Sequence, residues 1–270
     1  MLAGTELRKQ RRLSEVLTDS FNILFAHLRQ LAIISVPVVV ANVAFGLVVL
    51  AITQDLPTTE EIANDTAEFT TDDALQVTAL GAIAFVIGIP ILVVLQQLVS
   101  GGAVTYLDEA DKGTGLAPAD ALDRAQAQLG PLIGATLRAT VIVFLFAVTI
   151  VGIPWAINRF VKWIFVSQVI MVEGLRGEAV LARSAELVTG RWWNTLGRLI
   201  VTGLVIGIPI GVLQQALVAA APGIVGTVLS SATGFISVPF GIIGLSLMYF
   251  DLRTRKAEHD ITGTLEEPAT

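Results

Sequence analysis

The stretch EGLRGEAVLARSAELVTGRWWNTLGR, residues Glu173–Arg198, carries four arginines and lies between two long apolar regions. After Arg198 the next charged residue is Asp251, so 52 consecutive residues, Leu199–Phe250, carry no charge. A helix crosses a bilayer with about 20 apolar residues, so this run has the length of two crossings and a turn. The whole chain is 54% apolar and only 15% charged, where globular proteins have about 25% charged residues. These features predict an integral membrane protein.

Long apolar runs elsewhere in the chain extend this prediction to an all-α membrane bundle of six transmembrane helices. The predicted spans are Gln30–Gln54, Leu75–Val99, Pro131–Ile150, Trp155–Val172, Leu199–Ala219 and Val225–Phe250. The fourth span is the weakest because it contains Arg159 and Lys162, and a re-entrant segment is the alternative for it. The region between the first two spans, Asp55–Asp73, is acidic without Lys or Arg, which predicts an external loop.

Three short segments show the 3.6-residue periodicity of amphipathic helices, and each precedes a pair of spans. They are Leu13–Leu28, Pro118–Leu129 and Gly177–Thr189. Each either lies in the lipid interface on the cytoplasmic side or packs against other parts of the protein. For the third segment the lipid position is favoured, with Leu181, Ala185 and Val188 dipping into the acyl boundary.

The order of one short helix and two spans occurs three times, which suggests a weak three-fold repeat. The repeat lies in a single membrane domain, residues 13–256. A basic cytoplasmic N-terminus, residues 1–12, precedes this domain, and a flexible cytoplasmic tail, residues 257–270, follows it.

The distribution of Lys and Arg predicts the orientation. Nearly all basic residues lie near the two termini, between the second and third spans, and between the fourth and fifth. Because short basic loops stay cytoplasmic, we expect a multi-pass protein of the cytoplasmic membrane with both termini cytoplasmic. Such a topology requires an even number of spans.

The stretch at the centre of the chain also carries a family resemblance. Glu173-Gly174, Ala182-Arg183-Ser184, Leu187, Gly190-Arg191-Trp192-Trp193 and Gly197 resemble the signature of a bacterial multi-spanning family, and the ending Leu247–Lys256 is similar to that of the family. This family is related to the membrane domain of some glycerophosphoryl diester phosphodiesterases. The resemblance implies a multi-spanning fold. It does not carry the hydrolytic activity over, because the catalytic barrel is absent from this chain.

The residue types that carry chemistry are sparse. The chain has no cysteine, and its two histidines, His27 and His259, lie near opposite ends. The sequence contains no phosphate-binding loop, no nucleophile elbow and no HExxH motif. We therefore expect no enzyme, no metal site, no cofactor and no nucleic-acid partner, and we expect membrane lipids and other membrane proteins as partners.

Ionisable and polar residues inside spans mark candidate sites, because burying them in a bilayer is costly. The candidate intramembrane site consists of Arg138, Arg159, Lys162, Gln168 and Glu173. Two alternatives are an ion pair between Arg138 and Glu173, and a snorkelling position for Arg159 and Lys162 at the outer surface.

Two further groups have structural roles in this prediction. Arg183, Arg191, Trp192 and Trp193 are expected to anchor the chain at the membrane interface. Gly203, Gly207 and Gly211 recur every four residues and predict a ridge for close helix packing.

Two functions fit these observations. The first is a non-catalytic membrane protein that organises lipid or partner proteins at the cytoplasmic membrane. The second is a transporter or lipid translocator with a polar path near Arg159 and Lys162.

Overall fold

The computed structural model describes residues 6–53 and 70–266, except for the side chains of Gln76, Ile83, Phe85 and residues 259–266. This part of the chain is α-helical and contains no strand. Its helices are α1 Leu13–Ala26, α2 Leu28–Thr53, α3 Thr71–Asp111, α4 Pro118–Ala127, α5 Leu129–Ala147, α6 Ile153–Trp163, α7 Val166–Glu173, α8 Glu178–Val188, α9 Trp192–Ala220, α10 Ile224–Ala232 and α11 Gly234–Glu266. Most of the predicted external loop Asp55–Asp73 lies outside the described residues.

Six helical segments in the described chain are long and apolar enough to cross a membrane, which confirms the predicted fold class. Four of them are the single helices α2, α3, α5 and α9. The other two are composite, Ile150–Glu173 and Ile224–Glu258. The segment Ile150–Glu173 has the lowest mean hydropathy of the six, 1.2, in agreement with its charged residues.

The segment Ile150–Glu173 is interrupted at both ends of α6. A 3₁₀ turn, Ile150–Gly152, leads into it, and the helix breaks again between Trp163 and Val166. A side chain at position 152 would stand only 2.0 Å from the carbonyl oxygen of Phe146, so this turn requires glycine. At the other end, Gly174 has φ +68° and its N–H donates to the carbonyl of Ile170. This left-handed cap ends α7.

The three short helices α1, α4 and α8 occupy the positions that the periodicity predicts. At the start of α1 the N–H of Arg12 donates to Glu15 Oε2 over 2.9 Å. Helix α4 begins with Pro118, which suits the first helical position because its missing N–H has no partner there.

The buried face of α8 corrects the favoured lipid position. Leu181 is 8% exposed and Val188 is 0% exposed, and both belong to a protein-packed face that also includes Ser184. The expectation that Leu181 and Val188 enter the acyl boundary is therefore wrong, and the alternative, packing within the protein, describes α8.

The chain divides into two compact units. The first consists of residues 1–35, 97–207 and 236–270, and the second of residues 36–96 and 208–235. In the described part of the first unit, the core contains the rings of Phe21 and Phe240, 4.8 Å apart, and those of Phe165 and Tyr249, 6.3 Å apart. All the clusters considered below as candidate sites belong to this unit.

The second unit is held by small residues and by one amide. The ring of Phe45 in α2 lies directly on Gly88 in α3, and Thr227 lies on Gly46. The side-chain amide of Gln214 donates to Thr233 Oγ1 over 2.8 Å, which satisfies a polar group in an apolar segment.

The glycine ridge of α9 does not mediate close packing. A Cβ atom built on Gly203, Gly207 or Gly211 meets no atom within 4 Å in the described chain. The close contacts are made elsewhere. A Cβ at Gly101 would stand 3.1 Å from both Ala125 Cβ and Leu132 Cδ1, and one at Gly102 would stand 3.0 Å from Leu122 Cδ2. The predicted role of the ridge is wrong, and Gly101 and Gly102 have that role in α3.

Candidate functional site

A buried carboxylate, Asp251 in α11, is the centre of the most extensive polar cluster. Its side chain is fully buried. Asp251 Oδ2 accepts from Arg198 Nη1 over 2.6 Å, and Oδ1 accepts from Arg255 Nε over 2.9 Å and from the backbone N–H of Arg11 over 2.6 Å. Together with Asp19, these residues form the group that we call the arginine cluster.

Arg11 completes the arginine cluster through both its side chain and its backbone. Its side chain is 0% exposed and its Nε donates to Asp19 Oδ2 over 2.9 Å. Its remaining N–H groups donate to the carbonyls of Glu6, Leu7 and Lys9. The carbonyl of Arg11 accepts from both Arg198 and Arg255. Because an unpaired buried charge is strongly unfavourable, the ion pair with Asp19 and these hydrogen bonds are what allow Arg11 to be buried.

The end of α3 contacts residues 6–12, the described segment before α1 that contains Arg11 and that we call the N-terminal segment. Arg8 Nη2 donates to Asp108 Oδ1 over 2.9 Å, and the N–H of Leu7 donates to Asp111 Oδ1 over 3.0 Å. Arg8 also lies over the ring of Phe250, 5.7 Å from its centroid. The N-terminal segment thus connects the ends of α3 and α11 and the start of α9.

A second group, which we call the glutamate cluster, consists of Glu173, Arg183, Glu186, Tyr249 and Lys256. Glu173 accepts from Arg183 Nε over 2.9 Å and from the Tyr249 hydroxyl over 2.7 Å. Glu186 accepts from Arg183 Nη1 over 3.0 Å and pairs with Lys256 Nζ at 2.6 Å. Hydrogen bonds from Lys256 and Arg183 hold the pKa of Glu186 below its usual value. The cluster fastens α8 to α7 and α11.

The five residues of the predicted intramembrane site are not brought together. Arg138 pairs with Glu178 at 3.1 Å and not with Glu173. The partners of Glu173 are Arg183, Tyr249 and Arg253. The predicted ion pair of Arg138 with Glu173 is therefore wrong, because α8 folds back against α5 and places its own first residue beside Arg138.

The other members of that predicted site have separate surroundings. The guanidinium of Arg159 lies over the ring of Trp163, 5.4 Å from its centroid. The main-chain carbonyl of Lys162 accepts from Ser184 Oγ of α8 over 2.7 Å. Gln168 is 1% exposed, and its Oε1 has no hydrogen-bond partner among the described residues.

A polar groove of about 340 Å³ lies between α3, α5 and the interrupted α6–α7 segment. The side-chain amide of Gln97 donates to Thr136 Oγ1 over 2.8 Å and its carbonyl accepts from Ser167 Oγ over 3.1 Å. Thr140 and Trp163 also line the groove, whereas Arg159 and Lys162 do not. The polar part of the lining of this groove is thus made of uncharged side chains, and the rest of the lining is apolar.

The predicted interfacial anchors separate into two classes. Arg183 forms ion pairs with Glu173 and Glu186 of the glutamate cluster. Arg191 is exposed and has no carboxylate within 4 Å among the described residues, and Trp193 is 78% exposed. The rings of Trp192 and Trp193 contact edge to face at 4.6 Å. Arg191 and Trp193 therefore remain available to membrane lipid, and Arg183 does not.

Sequence reasoning missed the arginine cluster, although a signal for it was present. Arg198 and Asp251 are the two charges that border the 52-residue uncharged run. Two antiparallel crossings bring the ends of such a run to the same side of the membrane, where opposite charges pair. The burial of Arg11 had no comparable signal, because the basic segment around it also contains Arg8, Lys9 and Arg12.

Comparison of the chain with protein-family models, curated proteins and solved structures gave no match. The resemblance to the phosphodiesterase-linked family stays a prediction.

Proposed function

We propose that this chain is a non-catalytic protein of the cytoplasmic membrane that organises lipids at its inner surface. The observation that carries the proposal is the arginine cluster. It holds the N-terminal segment, α9 and α11 in one fixed arrangement, centred on a carboxylate that is fully buried. This arrangement fixes the start of α9, and the exposed Arg191 precedes that helix directly. A basic side chain held at a fixed place next to membrane-spanning helices is suited to bind anionic headgroups.

The position of the remaining basic groups supports lipid as the partner. The charges of Arg11, Arg183 and Arg198 are satisfied inside the protein. Arg191, in contrast, is exposed and lies two residues before the exposed Trp193 in the chain. Tryptophan is enriched at the headgroup level of membranes, so an arginine without an acidic partner at the same end of the helix is placed to contact lipid phosphates.

The proposal is tested with the full chain in phosphatidylcholine vesicles that contain phosphatidylglycerol. After mild extraction, native mass spectrometry should show phosphatidylglycerol retained in preference to phosphatidylcholine. In the same vesicles, the rate at which a fluorescent phospholipid crosses the bilayer should equal that of protein-free vesicles. Acceleration of this crossing by the protein would overturn the proposal.

A lipid translocator is the second candidate, and the polar groove around Gln97 is the observation in its favour. The groove supplies amide and hydroxyl groups within segments that are otherwise apolar. If the protein accelerates lipid crossing and Gln97→Leu abolishes the acceleration, the translocator is the better description. Leu137→Ile is the matched control, because Leu137 is exposed on α5 and does not line the groove.

A further inference from the structure

A groove of about 290 Å³ lies between the α8–α9 turn and α11. Its basic lining residues are Arg191, Arg255 and Lys256, and Thr189 and Gly190 line it from the turn. In the part of the chain that the structure describes, no carboxylate lines it. Its volume corresponds to about ten water molecules in the liquid, which is room for a phosphate with a small alcohol attached.

The three basic groups differ in how much of their hydrogen-bonding capacity is used within the protein. Arg255 donates through Nε to Asp251 and through Nη2 to the carbonyl of Arg11. Lys256 pairs with Glu186. Arg191 has no acidic partner in the part of the chain that the structure describes. A guanidinium has five N–H donors, so Arg191, and in part Arg255, retain donors for an added anion.

The backbone adds to the attraction for an anion. Helix α9 has 29 residues and begins at Trp192, directly after the lining residues Gly190 and Arg191. The N-terminus of a helix carries a partial positive charge and free N–H groups, which favour phosphate. Gly190, which lines the groove, adopts φ +82°, a left-handed conformation that glycine takes up without steric cost.

We propose that this groove binds the phosphate group of an anionic membrane lipid, with Arg191 as its main contact. The assignment rests on the proposed function, because it names the site at which lipid is held. Leu187 and Leu252 line the groove, so apolar surface adjoins the basic groups. A lipid headgroup, in contrast to a free phosphate, satisfies both surfaces.

The test measures how phosphatidylglycerol and phosphatidylcholine raise the thermal unfolding midpoint of the full chain in dodecyl maltoside. A ligand that binds only the folded state raises the midpoint, and the stabilisation grows with the logarithm of the ratio of ligand concentration to Kd. We expect stabilisation by phosphatidylglycerol only, with an affinity that falls as salt is added. Arg191→Gln should weaken this affinity about fivefold, since a basic residue near anionic lipid contributes about 1 kcal/mol.

The matched control is Arg176→Gln. Arg176 is exposed in the α7–α8 turn and donates only to Gln128, so this change removes the same charge outside the groove. Its affinity for phosphatidylglycerol should equal that of the unaltered chain. Equal weakening by both substitutions would show a diffuse surface attraction and overturn the site. Absence of any preference for phosphatidylglycerol would overturn it as well.

Glycerol 1-phosphate distinguishes a lipid from a soluble phosphate. We expect it to bind much more weakly than phosphatidylglycerol because it lacks acyl chains. If it binds as tightly, and Arg191→Gln weakens it, the lipid assignment is overturned and the site belongs to a soluble phosphate ester. Accelerated lipid crossing together with an intact Arg191 effect would overturn the proposed function alone.

Discussion

At the scale of single residues, Asp251 shows how one buried carboxylate organises several arginines. It accepts from the side chains of Arg198 and Arg255 and from the backbone N–H of Arg11. Removing one partner of such a buried pair strongly destabilises the folded protein, because the remaining charges stay buried without compensation. Asp251 therefore determines whether the N-terminal segment stays attached to α11.

Asp251→Asn tests this role with almost no change in side-chain volume. The amide cannot neutralise Arg198 and Arg255, so we expect a loss of about 3–5 kcal/mol in the free energy of unfolding. The measurement is thermal or denaturant unfolding of the full chain in detergent. Asp123→Asn on α4 is the control, because Asp123 is exposed, and this variant should unfold like the unaltered chain. Equal stability of the two variants would contradict the central role of Asp251.

At the scale of elements, the sequence predicts the helices well and their contact faces poorly. Uncharged runs indicate where α2, α3 and α9 lie, because bilayer thickness sets a minimum apolar length. The contact face has no such signal. Lipid tails are as apolar as leucine, so the face toward lipid and the face toward protein have similar compositions.

The glycines illustrate this limit. Gly203, Gly207 and Gly211 form a regular pattern and meet open space, whereas the adjacent pair Gly101-Gly102 has no visible period and lies against α4. For α8 the periodicity predicts which face is apolar, but it does not predict whether lipid or protein covers that face. The ion pairs of Arg183 with Glu173 and Glu186 resolve the choice in favour of protein.

The two sets of glycines predict opposite outcomes for the same substitution. Gly101→Val places atoms within the contact with Ala125 and Leu132, and such overpacking costs about 1–3 kcal/mol. Gly207→Val extends into open space and should leave stability nearly unchanged. Detergent unfolding of both variants measures the difference, and the shared cost of a β-branched residue in a helix cancels between them. A larger loss from Gly207→Val would restore the ridge as a packing surface.

At the scale of the whole molecule, the two ends of the described chain meet. The N-terminal segment contacts α11 through Arg11 with Asp251 and through Gln10 with Glu258. Two points of a membrane protein can touch in this way only if they lie on the same side of the membrane. The chain between them must therefore cross the membrane an even number of times. The interrupted segment Ile150–Glu173 is the one whose crossing decides the parity, because its mean hydropathy is the lowest of the six.

Single-cysteine labelling tests the crossing directly, since the chain contains no cysteine of its own. Gly115→Cys and Ala179→Cys place thiols at exposed positions beside the turns that follow α3 and α7, and Pro222→Cys places one in the turn after α9. The basic residues near the first two turns should retain them on the cytoplasmic side. A membrane-impermeant maleimide should therefore label Pro222→Cys in intact cells, and Gly115→Cys and Ala179→Cys only after permeabilisation.

The position of Ala179→Cys carries the decision about the fourth segment. If Ile150–Glu173 crosses the membrane, positions 115 and 179 lie on the same side, because α5 and this segment then form a complete excursion. If the segment is re-entrant, α8 lies on the opposite side from Gly115, and Ala179→Cys reacts in intact cells. That reaction would also be incompatible with the arginine cluster, because Arg11 precedes the first crossing and Asp251 follows the last uncharged run, so their contact requires an even number of crossings between them. Protection of Ala179→Cys in intact cells therefore supports the crossing of Ile150–Glu173 and the contact of Arg11 with Asp251 in one measurement.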